Sequence, residues 1–195
     1  MLSERARQYL STMTRIPAVP TEEVERVLKR QGDKCFPAWL EFHERYAGYI
    51  EPLGLESAVL GIVHTRSRWI RPGCAIVSRS YESNAFWFVI CADVHPSYVY
   101  SLGDSGFFRE RPASSFEVNL ERSAARVAFF GEPGPTRPQR FPQYPPAQAL
   151  LDRLQTETSI VAEASDEHYQ VLLGERLYAV RETSTGRLVD GGMRE

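Results

Sequence analysis

The residues of this chain that could act as nucleophiles, bases or metal ligands are its cysteines and histidines. The sequence has three cysteines and four histidines, which are Cys35, Cys74, Cys91, His43, His64, His95 and His168. No two cysteines have Cys-x-x-Cys spacing, and no two histidines lie three or four residues apart. This spacing predicts neither a zinc site nor another local metal pair, and it predicts no disulfide scaffold. Unpaired cysteines are typical of a reducing compartment, so we expect a cytoplasmic protein.

The candidate catalytic residues centre on Cys91, Asp93 and His95. Cys91 could be a thiol nucleophile with His95 or His64 as its base, and Asp93 with His95 could form a general-base pair. However, Cys91 lies in the most apolar segment of the sequence, where a thiol is protonated and inert. The residues Asp93 and His95 also suit a turn after a strand. His43 lies beside acidic residues, and we expect it at the surface. We therefore expect no catalytic residue, and a small enzyme that uses Cys91 or Asp93 with His95 stays as an alternative.

Motifs that bind phosphates or cofactors are missing from the sequence. It contains no Gly-x-Ser-x-Gly elbow, no Walker loop and no Gly-x-Gly-x-x-Gly fingerprint. The segment Gly103–Gly106 is too short for a phosphate loop, and Asp104 within it has no further carboxylates at the spacing of a metal loop. We interpret this segment as a turn between strands, and we expect no cofactor.

An arginine-rich segment around one tryptophan is the candidate contact surface. Arginine and tryptophan are enriched among interface anchors. We predict that a protein partner is bound by Arg66, Arg68, Trp69 and Arg71. The same residues could stack on RNA bases, or form a solvated loop whose tryptophan enters the core. The formal net charge of −2 creates no field that attracts nucleic acid or an anionic membrane, so neither is an expected partner.

Length and composition indicate a globular chain. Its 195 residues, 43% hydrophobic and 25% charged, fit one domain or one domain with a small appendage. No segment approaches the ~20 apolar residues that span a bilayer, and residues 1–20 lack the apolar run of a signal peptide. We therefore expect no membrane segment.

Apolar periodicity and capping residues predict helices and strands in an order typical of an α+β protein. The predicted helices cover residues 1–15, 21–32, 37–48, 114–131 and 147–154. The predicted strands cover residues 58–64, 74–80, 85–92, 97–102, 107–108, 159–164, 168–173, 176–181 and 187–190. Because helices and strands do not alternate, we predict a central, largely antiparallel sheet with helices packed on it.

Three local patterns carry further expectations. Ala85–Ala92 is apolar on both faces, which is typical of a central strand. Gly174-Glu175 suits a two-residue hairpin loop with glycine first. Gly131–Pro146 contains six prolines and no periodicity, which predicts an irregular linker. The predicted organisation is a domain at 1–130, a linker at 131–146, and a C-terminal helix with strands at 147–195 that extends the same domain or forms a small lobe.

Two parts of the chain resemble the SUKH superfamily, which includes Smi/Knr-type proteins and many bacterial immunity proteins. Phe36–Gly48 is similar to the early proline-led helix of that family, which ends in a small residue and glycine. Tyr98–Gly106 with Ala113–Leu120 resembles its strand, turn and Ser-Phe-Glu helix. The resemblance spans residues 20–128 and departs from the family pattern at Tyr49–Gly54, where the family has an acidic or glycine-rich segment.

The resemblance implies a SUKH-like fold and a non-enzymatic binding module. Bacterial proteins of this kind neutralise a toxin of the same or a neighbouring cell by binding it. Such a function needs a rigid scaffold, anchoring residues and complementary charge, and it needs no nucleophile or metal. We therefore expect an immunity protein of bacterial competition with a protein toxin as its partner, and the alternative with the same fold is a regulatory or scaffolding adaptor.

Overall fold

The fold is described from a computed structural model of the chain. The structure describes residues 1–31, 36–53, 56–61, 70–71, 74–80, 86–91, 99–103, 106–108, 115–131 and 148–194. The described chain divides into two compact units, one formed by Leu10–Ser115 and the other by Met1–Tyr9 together with Phe116–Glu195.

Three helices precede the first strand, each within or close to a predicted range. They are α1 (Glu4–Thr12), α2 (Thr21–Gln31) and α3 (Phe36–Tyr46). Ser3 caps α1, because its hydroxyl oxygen accepts the N–H of Ala6 at 3.1 Å. Glutamates in the first turn of α2 and basic residues in its last turn complement the helix dipole. Gly48 follows α3 with φ at +84°, the left-handed conformation that ends many helices.

The unit Leu10–Ser115 is built around an antiparallel sheet. Its strands are β1 (Ile50–Leu53), β2 (Glu56–Leu60), β3 (Ile70–Arg71), β4 (Cys74–Ser80), β5 (Phe86–Cys91), β6 (Val99–Gly103) and β7 (Gly106–Phe108). They follow the order β1-β2-β4-β5-β6-β7. β3 pairs with the beginning of β4 and β2 pairs with its end, so β2 and β3 lie along the same edge of β4. Val24, Leu28, Phe42 and Tyr46 of α2 and α3 are buried in this unit.

The central strand and the ends of the turn predicted for this sheet are confirmed, and two strands, β1 and β3, are missed. The central strand predicted at 85–92 is β5, which pairs with β4 on one side and β6 on the other. Gly103 at the end of β6 and Gly106 at the start of β7 are register partners, as the predicted turn requires, and the two residues between them lie outside the described residues. The sequence pattern does not predict β1, because Pro52 weakens its strand signal. Proline is tolerated there because β1 lies at the edge of the sheet.

The second unit contains a sheet between two helices. Its elements are α4 (Phe116–Phe130), α5 (Gln148–Glu157), β8 (Thr158–Ile160), β9 (Tyr169–Gly174), β10 (Leu177–Glu182) and β11 (Leu188–Met193). The strands follow the order β11-β10-β9-β8. Alternate residues of β10 serve opposite faces: Tyr178 and Val180 are buried with Phe129 of α4, and Leu177 is buried with Leu154 of α5. The predicted α+β class, with helices packed on antiparallel strands, is thus confirmed.

The end of the predicted strand 159–164 is wrong. β8 stops at Ile160, and Ala162–Ala164 form a 3-10 turn. Two alanines in this turn favour helical over extended backbone. The turn packs on α4, where Ala164 is buried in the cluster that contains Phe129.

The division of the chain differs from the boundary expected at residue 130. α4 belongs to the unit that contains the C-terminal strands, and it contacts β9 and the turn Ala162–Ala164. Ala125 and Phe129 of α4 are buried in one cluster with Val171 and Tyr178. Residues 147–195 therefore do not form that unit alone, because α4 covers one face of their sheet. The predicted linker lies outside the described residues from position 132 onward.

Candidate binding groove

Most of the residues that the sequence marks as site candidates fall outside the described part of the chain. These are Arg66, Arg68 and Trp69 of the predicted contact surface, and Asp93 and His95 of the catalytic alternative. Their predicted roles stay predictions.

The backbone does place two other candidates, Arg71 and Cys91. Arg71 ends β3, where its register partner is Cys74 of β4. Cys91 ends β5, and its register partner is also Cys74. One predicted contact residue and two cysteines thus lie in one row across three strands, although the sequence separates them.

An open groove lies between α5 and the sheet of the second unit. Its volume is about 490 Å³. Leu151 and Leu154 line it from the helix, and Ile160, Leu172 and Leu188 line it from the strands. Ligand pockets typically enclose about 300–1,000 Å³ and combine mostly apolar walls with a few polar groups. This groove has the size and the lining of a binding site.

The strand register explains why the groove is apolar. Ile160 is the partner of Leu172, and Leu188 is the partner of Arg181, so each pair shares a face of the sheet. α5 covers only part of this face. Leu154 of the helix and Leu172 of the sheet are buried against each other, whereas Ile160 is 53% exposed. The part of the face that α5 leaves uncovered forms the floor of the groove.

The junction of α5 and β8 forms one wall of the groove. β8 follows the helix directly, and the hydroxyl of Thr158 donates a hydrogen bond to the carbonyl oxygen of Leu154. Thr158 is the register partner of Gly174 on β9. A Cβ atom at position 174 would lie 2.0 Å from the carbonyl oxygen of Glu157, so only glycine allows this approach. The wall therefore depends on a glycine whose role is close packing.

Arg181 is the charged group of the groove among its described lining residues. Its guanidinium donates a hydrogen bond to the side-chain oxygen of Gln170, which fixes its orientation. Within the described residues no carboxylate pairs with Arg181, whereas Arg122, Arg126 and Arg153 each have one. A half-buried guanidinium with a neutral partner favours an incoming carboxylate, because charge-assisted hydrogen bonds are the stronger kind.

Two buried charged groups of the same unit have internal partners instead. The Arg122 guanidinium lies 2.9 Å from the Asp166 carboxylate and donates to the carbonyl oxygen of Ala164 at 2.8 Å. Burial lowers the pKa of Arg122, and Asp166 opposes that shift. The buried Glu121 carboxylate accepts hydrogen bonds from the N–H and the hydroxyl of Ser3. These groups stabilise the fold, and Arg181 is the cation directed to the groove.

His43 is a core residue of the unit Leu10–Ser115, so its expected surface position is wrong. It is 2% exposed, and its Nε2 atom lies 2.7 Å from the carbonyl oxygen of Val19. A carbonyl oxygen only accepts, so Nε2 carries the proton and donates it. Burial lowers the pKa of His43, and the bond to Val19 opposes this shift. The imidazole is therefore neutral at neutral pH.

Mild acid is expected to destabilise the protein through His43. The unfolded pKa is near 6.5 and the folded pKa is lower. Between these two values the unfolded state binds more protons, so the free energy of unfolding falls as the pH falls, by up to about 1.4 kcal/mol per pH unit. His43→Gln keeps an N–H donor but does not titrate. Urea denaturation from about pH 7 to pH 5 should show that the free energy of unfolding of this variant depends less on pH than that of the wild type. An equal pH dependence in the two proteins would contradict the role of His43.

Two general features of the described chain bear on the class of site. Among the described residues, no three histidine, cysteine, aspartate or glutamate side chains gather closely enough to hold a metal ion. Within the same residues, no helix combines the length and the apolar character that crossing a bilayer requires.

Comparisons of this chain with protein-family models, curated proteins and solved structures give no match. The resemblance to the SUKH superfamily therefore rests on the quoted sequence segments. The described residues of these segments form α3 with Gly48 after it, the paired strands β6 and β7, and the first turns of α4. What the fold and the groove define is an α+β protein with an open, mainly apolar site and one oriented guanidinium.

The sequence does not predict the groove, although it holds a partial signal. Ile160, Leu172 and Leu188 fall within predicted strands, and Arg181 ends another. Arg181 lies on the same face of its strand as the buried residues Leu177 and Ala179, so it marks the end of an apolar face. The gap itself depends on how far α5 extends across the sheet, which local patterns do not encode.

Proposed function

We propose that this chain is a cytoplasmic, non-enzymatic binding protein that neutralises a bacterial toxin by direct contact, as immunity proteins do. The observation that carries the proposal is the groove beside α5. Binding proteins anchor partners with a few residues in an apolar pocket and select them with complementary charge. The apolar walls and Arg181 supply both elements. The resemblance to SUKH-type immunity proteins supports the choice of a toxin as partner.

The groove is preformed, which favours a binding role because little ordering is needed on association. Leu172 and Leu177 are buried between the helix and the strands, so the floor is fixed by the core of the unit. The guanidinium of Arg153 pairs with Glu157 one turn along α5, and this pair supports the helix end beside the groove. The hydrogen bond that Arg181 donates to the side-chain oxygen of Gln170 orients the guanidinium before any partner arrives.

The expected occupant is a segment of the partner protein that carries an apolar side chain next to a carboxylate. The apolar side chain would pack between Leu151, Ile160 and Leu172, and the carboxylate would pair with Arg181. β8 is an edge strand, since only β9 pairs with it among the described strands. An edge strand offers main-chain hydrogen-bonding groups to an extended peptide. An acidic or C-terminal segment of a toxin meets these requirements.

Reversal of the Arg181 charge is expected to weaken partner binding by about tenfold or more. The matched control is Arg187→Glu, which changes the net charge equally at an exposed position outside the lining. Tagged wild-type protein and both variants are used to capture proteins from the native cells, with quantitative mass spectrometry. The proposal predicts one protein retained by the wild type and Arg187→Glu, and lost with Arg181→Glu. Retention of that protein by all three would contradict the groove as its binding site.

A toxin and an adaptor partner are distinguished by growth. The captured protein is expressed in a sensitive host, with and without this chain. Neutralisation predicts that the captured protein stops growth, that the wild-type chain restores it, and that Arg181→Glu restores it less well. A captured protein with no effect on growth would favour a regulatory or scaffolding adaptor over an immunity protein.

A further inference from the structure

Cys74 and Cys91 lie directly opposite each other on neighbouring strands. They are register partners at the beginning of β4 and the end of β5. Opposed residues of an antiparallel pair have Cα atoms about 4.5 or 5.5 Å apart, depending on the hydrogen-bond pattern. Both values lie within the ~4.4–6.8 Å that a disulfide can bridge. The backbone therefore places two cysteines at disulfide distance, although their sequence spacing gives no sign of it.

Arg71 occupies the next position in the same row. It is the register partner of Cys74 on the other side of β4. Opposed residues share one face of a sheet, so Arg71, Cys74 and Cys91 lie on the same face, with Cys74 in the middle. Arginine is a residue type whose positive charge favours the thiolate of a neighbouring cysteine, and the thiolate is the form that attacks disulfides. The strand register therefore places an arginine and two cysteines at adjacent positions of one row.

We propose that Cys74 and Cys91 form a reversible redox pair, which a low-molecular-weight disulfide such as glutathione disulfide converts to an intramolecular disulfide. The Cys74 thiolate attacks one sulfur of glutathione disulfide, and one glutathione leaves as its thiolate. Cys91 then gives its proton to the glutathione thiolate that has left and attacks the Cys74 sulfur of the mixed disulfide, which releases the second glutathione. The protein loses two electrons and two protons, and one glutathione disulfide becomes two glutathione molecules.

The bond would tie the two central strands of the sheet together. Cys74 begins β4 and Cys91 ends β5. The bond would therefore lie at the end of the β4–β5 pair where β3 also pairs with β4. A disulfide there restricts the unfolded chain and raises the stability of the sheet. In a reducing cell both residues are thiols, and the bond forms when the glutathione pool becomes oxidised. This inference does not depend on toxin binding.

Peptide mapping of the full chain tests the proposal. The purified protein is equilibrated with glutathione buffers of increasing oxidation, its free thiols are alkylated, and it is digested with trypsin without reduction. Arg79 lies between the two cysteines, so they fall on separate tryptic peptides. The proposal predicts one joined pair of peptides that contains Cys74 and Cys91, with Cys35 alkylated. A bond that involves Cys35, or alkylation of both cysteines at every buffer composition, would overturn it.

Substitutions at Cys35, Cys74 and Arg71 separate the roles of these three residues in forming the bond. Cys35→Ser should leave the joined peptides unchanged, and Cys74→Ser should abolish them. Arg71→Gln should slow formation of the bond several-fold at neutral pH and move the thiol reaction to higher pH, with Arg187→Gln as the control in the other unit. Equal rates for Arg71→Gln and the wild type would overturn the activating role of Arg71.

Discussion

Replacement of Arg122 by methionine is expected to lower the free energy of unfolding of the second unit by about 3–5 kcal/mol. The Arg122 and Asp166 side chains are 10% and 5% exposed and lie 2.9 Å apart. Removal of the guanidinium leaves the Asp166 carboxylate buried without its counter-charge. An uncompensated buried charge is one of the few causes of very large effects from single substitutions.

The Asp166 carboxylate is held in place, which is why the loss is expected to be large. One of its oxygens accepts the N–H groups of His168 and Tyr169, and these bonds form the turn before β9. The Arg122 guanidinium also lies over the Tyr169 ring, 5.1 Å from its centre. Asp166 therefore cannot turn towards solvent unless this turn is lost.

Arg126→Met is the matched control for this prediction. Arg126 lies one turn further along α4 and pairs with Asp190 at 3.2 Å, but the two side chains are 21% and 32% exposed. Its removal is expected to lower the stability by no more than about 1 kcal/mol. Urea denaturation followed by far-ultraviolet circular dichroism measures both variants. Equal losses in the free energy of unfolding for Arg122→Met and Arg126→Met would contradict burial of the ion pair as the cause of the large effect at Arg122.

Gly174→Ala is expected to lower the free energy of unfolding by about 2–4 kcal/mol. The new Cβ atom would lie 2.0 Å from the carbonyl oxygen of Glu157 and 3.1 Å from its carbon. Both are backbone atoms at the junction of α5 and β8, so the helix end or the strand must move. The groove shares this wall, and partner binding is therefore expected to weaken together with stability.

Gly131→Ala tests whether crowding causes the effect at Gly174. Gly131 has φ at +81°, but a Cβ atom there meets nothing within 4 Å. Alanine in this left-handed conformation is expected to cost about 1–2 kcal/mol from backbone strain alone, and binding should stay unchanged. Thermal and urea denaturation give the stabilities, and capture of the partner gives the binding. Full stability of Gly174→Ala would mean that the approach of Glu157 is not tight in solution.

Local sequence patterns predict the helices, because helix formation depends on residues that are close in the sequence. They also predict the fold class, because that class follows from the order of the helices and strands. Capping, apolar periodicity and stop residues place α1–α5 near their observed positions, with Gly48 as an example of a stop signal. The apolar run that forms β5 predicts an internal strand for a similar reason, since both of its edges are paired. The proline in β1 hides an edge strand from the same analysis.

Features that depend on distant residues are not predicted. The sequence pattern predicts Gly174 as the first residue of a hairpin loop, but it is the last residue of β9, and its role comes from the close approach of Glu157. The grouping of α4 with the C-terminal strands depends on which sheet face it covers, and helix periodicity does not contain that information. The groove and the row formed by Arg71, Cys74 and Cys91 likewise arise only after the strands pair.

The most direct test of the account is a titration of the captured partner, once purified, with the wild-type chain, Arg181→Glu and Arg187→Glu. The account predicts a stoichiometric complex with the wild type, a Kd at least about tenfold higher for Arg181→Glu, and no change for Arg187→Glu. Equal Kd values for the wild type and Arg181→Glu, or turnover of the partner by this chain, would contradict a protein that acts by binding through this groove.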